Sequence, residues 1–178
     1  GWLKDGKRVM DHVRPAAIYM GLSTDVIGDD LAIMGYHSRG PDEAFVNVFK
    51  GFDEPNSLEV DHRLGLMSAN GNSRTGAAYR YFAQLLGQRP SKRKIHFDIL
   101  TSLPDDSLYK GQEALDDTRD AVMAERVAGV DVFALCIDKK ATPEQLSHVY
   151  GQGHYRMIQE YQDIPRSVVE LYRLLTLS

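Results

Sequence analysis

At 178 residues and 20.0 kDa, the chain is long enough for one domain with a real core. A net charge of −4 and a pI near 5.8 exclude the basic footprint of a nucleic-acid binder. No run of about 18 apolar residues and no signal-peptide pattern marks membrane insertion or export.

Residues 1–14 read as a polar start with Lys4, Lys7 and Arg8 and a lone Trp2, and an opening Gly-Trp-Leu-Lys reads as a fragment boundary. Pro15 is expected at a first helical position, followed by a helix over 16–27 that carries Ile18, Leu22, Val26 and Ile27 at helical spacing and ends at Gly28. Residues 31–36 and 44–49 read as strands, and the short turn over 37–42 makes them antiparallel neighbours. A loop with Pro55 and a weak helix over 59–67 follow.

The chain then reaches Asn70-Gly71-Asn72-Ser73-Arg74-Thr75-Gly76, a polar glycine-bearing loop that runs into a helix with Ala78, Phe82, Leu85 and Leu86 on one face. Asn72 or Ser73 is expected to cap that helix, an arrangement that suits an ordinary cap, an anion site or a metal taking a hydroxyl ligand. The basic stretch over 89–94 reads as a solvated loop. Residues 95–101 form a third expected strand, 102–106 a polar loop, 116–128 a helix and 130–137 the cleanest strand. Cys136 in that strand is expected to be a buried thiol. No disulfide can form within the chain, which fits a reducing, cytoplasmic setting. Thr142-Pro143-Glu144-Gln145 has the form of a capping box, residues 154–159 that of an edge strand, and Ile164, Val168, Leu171, Tyr172 and Leu175 that of a final helix's core face.

Strands alternating with helices imply an α/β sheet covered on both faces, in which ligands bind beyond the carboxyl ends of the strands. The segments expected there are 38–42, 70–76, 102–106 and 138–142. Phosphate-loop and dinucleotide fingerprints are absent. Gly71-Asn72-Ser73-Arg74-Thr75 falls one glycine short of a hydrolase elbow, leaving a Ser73 nucleophile with His37 or His154 as base as a minor reading. The six histidines show no metal-ligand spacing. His96 reads as a satisfied face histidine, and Asp98 in the same strand as a buried acid with a partner or a solvent-facing position.

Several pieces together resemble a von Willebrand factor A domain, and more narrowly the C-terminal A domain of the NorD/CbbO family, over nearly the whole chain. They are Tyr36-His37-Ser38-Arg39-Gly40, Phe52-Asp53-Glu54-Pro55, Ser73-Arg74-Thr75-Gly76-Ala77-Ala78-Tyr79-Arg80, Tyr109-Lys110-Gly111 with Asp117-Thr118-Arg119, and Ile137-Asp138. The resemblance implies a single domain over 1–178 with a doubly wound, mostly parallel Rossmann-like sheet and one antiparallel edge strand. The family's first, central strand and its Asp-x-Ser-x-Ser would lie upstream of Gly1.

Domains of this kind hold a divalent ion at a metal-ion-dependent adhesion site. The resemblance puts Ser73 at the hydroxyl position and Ser102 where an Asp is expected, with Asp105 or Asp106 as weak substitutes. The intact parent could hold Mg²⁺ or another divalent cation, whereas this chain alone is expected to hold none. The implied role is a non-enzymatic adaptor between a MoxR-class AAA+ ATPase hexamer and a client, nitric oxide reductase or Rubisco. The client's acidic group would meet Asn70, Asn72, Arg74, Thr75, His37, Arg39 and Asp138. The alternative is a structural A domain with a degenerate, metal-free site.

Overall fold

The computed structural model describes residues 9–69 and 71–177. The backbone contacts of these residues group into two compact units, one built from residues 9–35, 47–69 and 160–177, the other from 36–46 and 71–159.

In the first unit, α1 (Met10–Ile27) packs on α6 (Ile164–Leu177) and on α2 (Leu58–Gly65). The helix begins at Met10, not at Pro15. Its early turns are anchored by the Arg14 guanidinium, which donates to the Met67 carbonyl (2.7 and 2.8 Å) and pairs with Asp11 (2.9 Å). Pro15 therefore lies inside the helix and forgoes one backbone bond. The expected apolar face is also corrected. Val13, Ala16, Ala17, Gly21 and Thr24 are buried, whereas Leu22, Val26 and Ile27 are exposed. Small residues win because neighbouring elements approach the helix closely. A Cβ on Gly21 would lie 2.9 Å from Asn56 Oδ1, and the Asn56 amide donates to the Gly21 carbonyl at 2.7 Å.

In α6, Ile164, Val168, Leu171 and Tyr172 are buried on one stripe as the spacing predicts, and the Tyr172 hydroxyl donates to Asp29. The Ser57 hydroxyl caps α2 by accepting from the Val60 N–H (3.3 Å). Arg63 ties α2 to the Phe49 carbonyl and to Glu54.

In the second unit, β3 (Lys94–Leu100), β4 (Val130–Cys136) and β5 (Tyr155–Met157) form a parallel sheet in the order β3-β4-β5. The edge strand at 154–159 is thus shorter than expected and runs parallel to β4. The central strand carries Val132, Phe133, Ala134, Leu135 and Cys136, all buried, which explains why it reads as a continuous apolar run. The sheet packs with α3 (Thr75–Gly87), α4 (Gly111–Val127) and α5 (Pro143–Tyr150). Helix α4 starts at Gly111, earlier than its expected start at 116, because Ala114 and Leu115 are buried in its first turns. The α5 capping box forms as predicted, with Gln145 N–H donating to Thr142 Oγ1 (3.3 Å) and Thr142 N–H to Gln145 Oε1 (2.9 Å).

Strands β1 (Ile33–Ser38) and β2 (Ala44–Lys50) pair with each other in a separate two-stranded sheet, joined by the turn over 39–43. No helix among the described residues is long and apolar enough to cross a membrane. Cys136 is buried, and burial pushes its thiol up to about 11, so it is an inert core group.

Candidate functional site

All four of the expected loops meet in the second unit. The Ser38 N–H at the end of β1 donates to the Asn72 carbonyl (2.7 Å). Ser73 and Asp105 exchange both backbone bonds (2.9 and 3.2 Å). Asp138 closes on the same loop, accepting from the Leu103 N–H (3.0 Å) with one oxygen and from the Lys140 N–H (2.9 Å) with the other.

Asp106 is the hub of this arrangement. Its fully buried carboxylate accepts from the Ser38 hydroxyl (2.6 Å), the Asn72 amide (3.1 Å), and the backbone N–H groups of Ser107 (2.6 Å) and Gly40 (3.2 Å). The Arg74 Nε lies 3.5 Å away. The Ser38 bond foremost, helped by the other donors, holds Asp106 down to about 2. A carboxylate so surrounded by donors is a fastener for the loops and offers little to an incoming cation.

Arg74 is equally committed. Its guanidinium donates to the carbonyls of Gly40 (3.0 Å) and Ser107 (2.7 Å) and stacks 4.8 Å above the Tyr109 ring. The helix cap departs from expectation for the same reason. Arg74 is the N-cap residue and makes no side-chain cap bond, because the Asn72 amide is drawn to Asp106 and Ser73 is held in its bridge to Asp105. The Arg74 N–H is satisfied instead by Ser38 Oγ (3.0 Å).

Beneath the loop, the Tyr109 hydroxyl donates to Asp117 (2.7 Å), which also receives Arg80 (2.5 Å). The Gly76 N–H donates to the same tyrosine oxygen (3.3 Å). Thr75 is fully buried at the start of α3.

A second polar network fills the core behind this face. Asp98 on β3 accepts from the hydroxyls of Tyr36 (2.7 Å) and Tyr79 (2.6 Å), and Tyr79 is bonded to Tyr150 (2.8 Å). Burial first, and the Asp98 charge second, push all three phenols well above the ordinary range, so each remains a neutral O–H. His96 Nδ1 faces both Glu125 oxygens at 3.0 Å. The alternation of His96 and Asp98 along β3 was the sequence signal for this network. Its partners, spread over β1, α3, α4 and α5, carried none.

Two pockets open at the site. A polar one of about 510 Å³ is lined by His37, Ser38, Arg39, Asn72, Asp106 and Ser107. The other, of about 360 Å³, shares His37 and continues along α3. Ser102 and Asp105 are exposed, and Ser73 is half-buried. Among the described residues, no three His, Cys, Asp or Glu side chains are grouped to hold a metal ion. His154, the distal candidate base, turns its Nδ1 to the Gln152 carbonyl (3.2 Å). Asn70 lies outside the described residues.

No protein-family model matches the chain. Among curated proteins, an uncharacterised protein of Pseudomonas aeruginosa is 31% identical over 175 residues, 98% of this chain and 28% of that protein. Protein NorD of Brucella suis biovar 1 is 30% identical over 172 residues, 96% of this chain and 27% of the relative. Protein NorD of Stutzerimonas stutzeri is 30% identical over 161 residues, 90% and 26% respectively. Among solved structures, proximal thread matrix protein 1 from the mussel byssus superposes over 96% of this chain and 43% of its own, with a TM-score of 0.70 at 12% identity, a likeness of fold alone. The chain is thus a homologue of one segment of proteins named NorD, matched over nearly all of its own length and spanning 26–27% of theirs.

Proposed function

We propose that this chain is a non-enzymatic protein-binding module, a von Willebrand factor A-like domain that works within an accessory protein of nitric oxide reductase. In that role it presents the loop face around Asp106 to the client while a MoxR-class AAA+ ATPase supplies the mechanical work; a Rubisco client is the alternative. The observation that carries this reading is the pairing of an open polar pocket with a buried frame of hydrogen bonds that fixes the shape of its wall. Fixed loops around a concave polar surface suit recognition, because little ordering entropy is lost on binding.

The reading has two structural corollaries. Recognition here is metal-free, since Asp106 is already surrounded by donors and Ser102 brings no carboxylate. In the intact protein, a further strand completes the sheet beside β3. Support comes from the separate sheets of β1-β2 and β3-β4-β5, and from a β3 edge that carries neither proline nor bulge.

The test is capture of purified nitric oxide reductase by the intact protein, with and without EDTA, beside the Arg39→Glu variant. Capture that survives EDTA and falls at least tenfold with Arg39→Glu is the expected result. Capture indifferent to Arg39→Glu, or a hydrolytic activity abolished by Ser73→Ala, overturns the proposal.

A further inference from the structure

The second pocket has a different character from its polar neighbour. Ala77, Ala78 and Tyr81 of α3 and Phe45 of β2 are among the residues that line it. The Phe45 and Tyr81 rings are 37% and 42% exposed, so each offers apolar surface to the pocket while part of it stays packed. Phe45 is not loose. Its ring stacks on His37 at 4.9 Å with 17° between planes, and the Arg39 guanidinium lies 6.0 Å from its centre. At about 360 Å³ the pocket far exceeds one water's share of about 30 Å³. It falls at the small end of ligand pockets, roughly 300–1,000 Å³.

Charge narrows the occupant. The charged residues lining the two pockets are Arg39, Arg74 and Asp106. Asp106 is fully buried and already holds its donors, so the charge left facing outward is positive, and Arg39 is the exposed member. Asp42 and Glu43, exposed on the adjoining turn, line neither pocket. A positive rim beside an aromatic slot, on a molecule whose net charge is −4, favours a segment that is apolar at one residue and acidic at the next.

We propose that the pocket lined by Phe45 and Tyr81 anchors one bulky apolar side chain of a partner protein segment, and that a carboxylate neighbouring that side chain is read at the Arg39 rim. The inference rests on the binding-module reading and specifies the partner's chemistry.

The probe is N-acetyl-phenylalanyl-aspartate amide, followed by saturation-transfer NMR on the intact protein. Its alanyl-aspartate and phenylalanyl-asparagine counterparts serve as controls. Strong, saturable transfer to the phenyl protons is expected, weakened severalfold in the phenylalanyl-asparagine control, with correspondingly weak transfer to the alanine methyl of the alanyl-aspartate control. Ala77 is exposed on α3, so Ala77→Leu fills the slot without disturbing the core and should abolish the transfer while leaving the circular dichroism and melting temperature unchanged. Equal binding of all three dipeptides, or transfer undiminished by Ala77→Leu, overturns the anchor. In the capture assay, loss with Arg39→Glu but not with Ala77→Leu sinks the anchor alone. Indifference to both variants sinks the binding-module reading as well.

Discussion

Gly76 has no room for a side chain. A Cβ there would lie 2.1 Å from Asp117 Oδ2 and 3.0 Å from Arg80 Nη1, in the middle of the ion pair that steadies the start of α3. Asp117 can move, but only by releasing the Tyr109 hydroxyl and Arg80. Gly76→Ala should therefore cost about 1–2 kcal/mol, the worth of one or two such bonds. In an Asp117→Ala background the sign should reverse, because alanine is the better helix former by about 1 kcal/mol. Urea denaturation of the double-mutant cycle checks this, and additive effects would show that the crowding is not the cause. Asp98 illustrates the complementary case. Its burial is tolerable because two neutral phenols donate to it, so its meaning lies in residues far away in the chain.

Among the elements, α5 is specified most locally. Cap, proline and the reciprocal glutamine all fall within four consecutive residues, and the helix forms where they say. Thr142→Ala removes one side of the reciprocal pair and should cost about 1 kcal/mol. The urea midpoint should fall with an unchanged m-value, and a midpoint within error of the wild type would contradict the assignment. Helix α1 shows the reverse. Its bulky residues fall on a regular stripe, yet the neighbours pack on the alanines and Gly21, because close backbone approach needs small side chains. Periodicity detects a helix with two usable faces but cannot choose between them.

For the molecule as a whole, acid stability provides a test of the Asp106 frame. Its carboxylate sits at about 2 when folded against an ordinary value of 3.8. A folded value below the unfolded one means that the stabilisation is complete above about pH 4 and is lost as pH falls toward 2. Asp116 and Asp117 are displaced in the same direction. For Asp116, bonds from Gln112 and His148 are responsible. For Asp117, burial pushes upward but is outweighed by Arg80 and Tyr109. Asp106→Asn should melt at a lower temperature at neutral pH and lose stability less steeply between pH 4 and 2. Melting curves recorded across that range decide the matter, and parallel profiles for variant and wild type would remove Asp106 from its central place.

Local chemistry alone determined the order of strands and helices, the buried apolar run of β4, the α5 cap, and the clustering of polar loops at the strand ends. Each of these depends on side chains close together in the chain, through periodicity, capping and turn preference. Which face of α1 is covered, why Ser73 and Asn72 do not cap α3, why Arg74 is spent internally, and how Asp98 is satisfied were decided only by tertiary structure. In every such case the deciding partner lies about twenty residues away or more: Ser38 and Asp106 for the central loop, Tyr36 and Tyr79 for Asp98, Asn56 for Gly21. A hydrogen bond or close contact of that reach leaves no periodic trace in the chain, because its two halves are brought together only when the elements between them have packed.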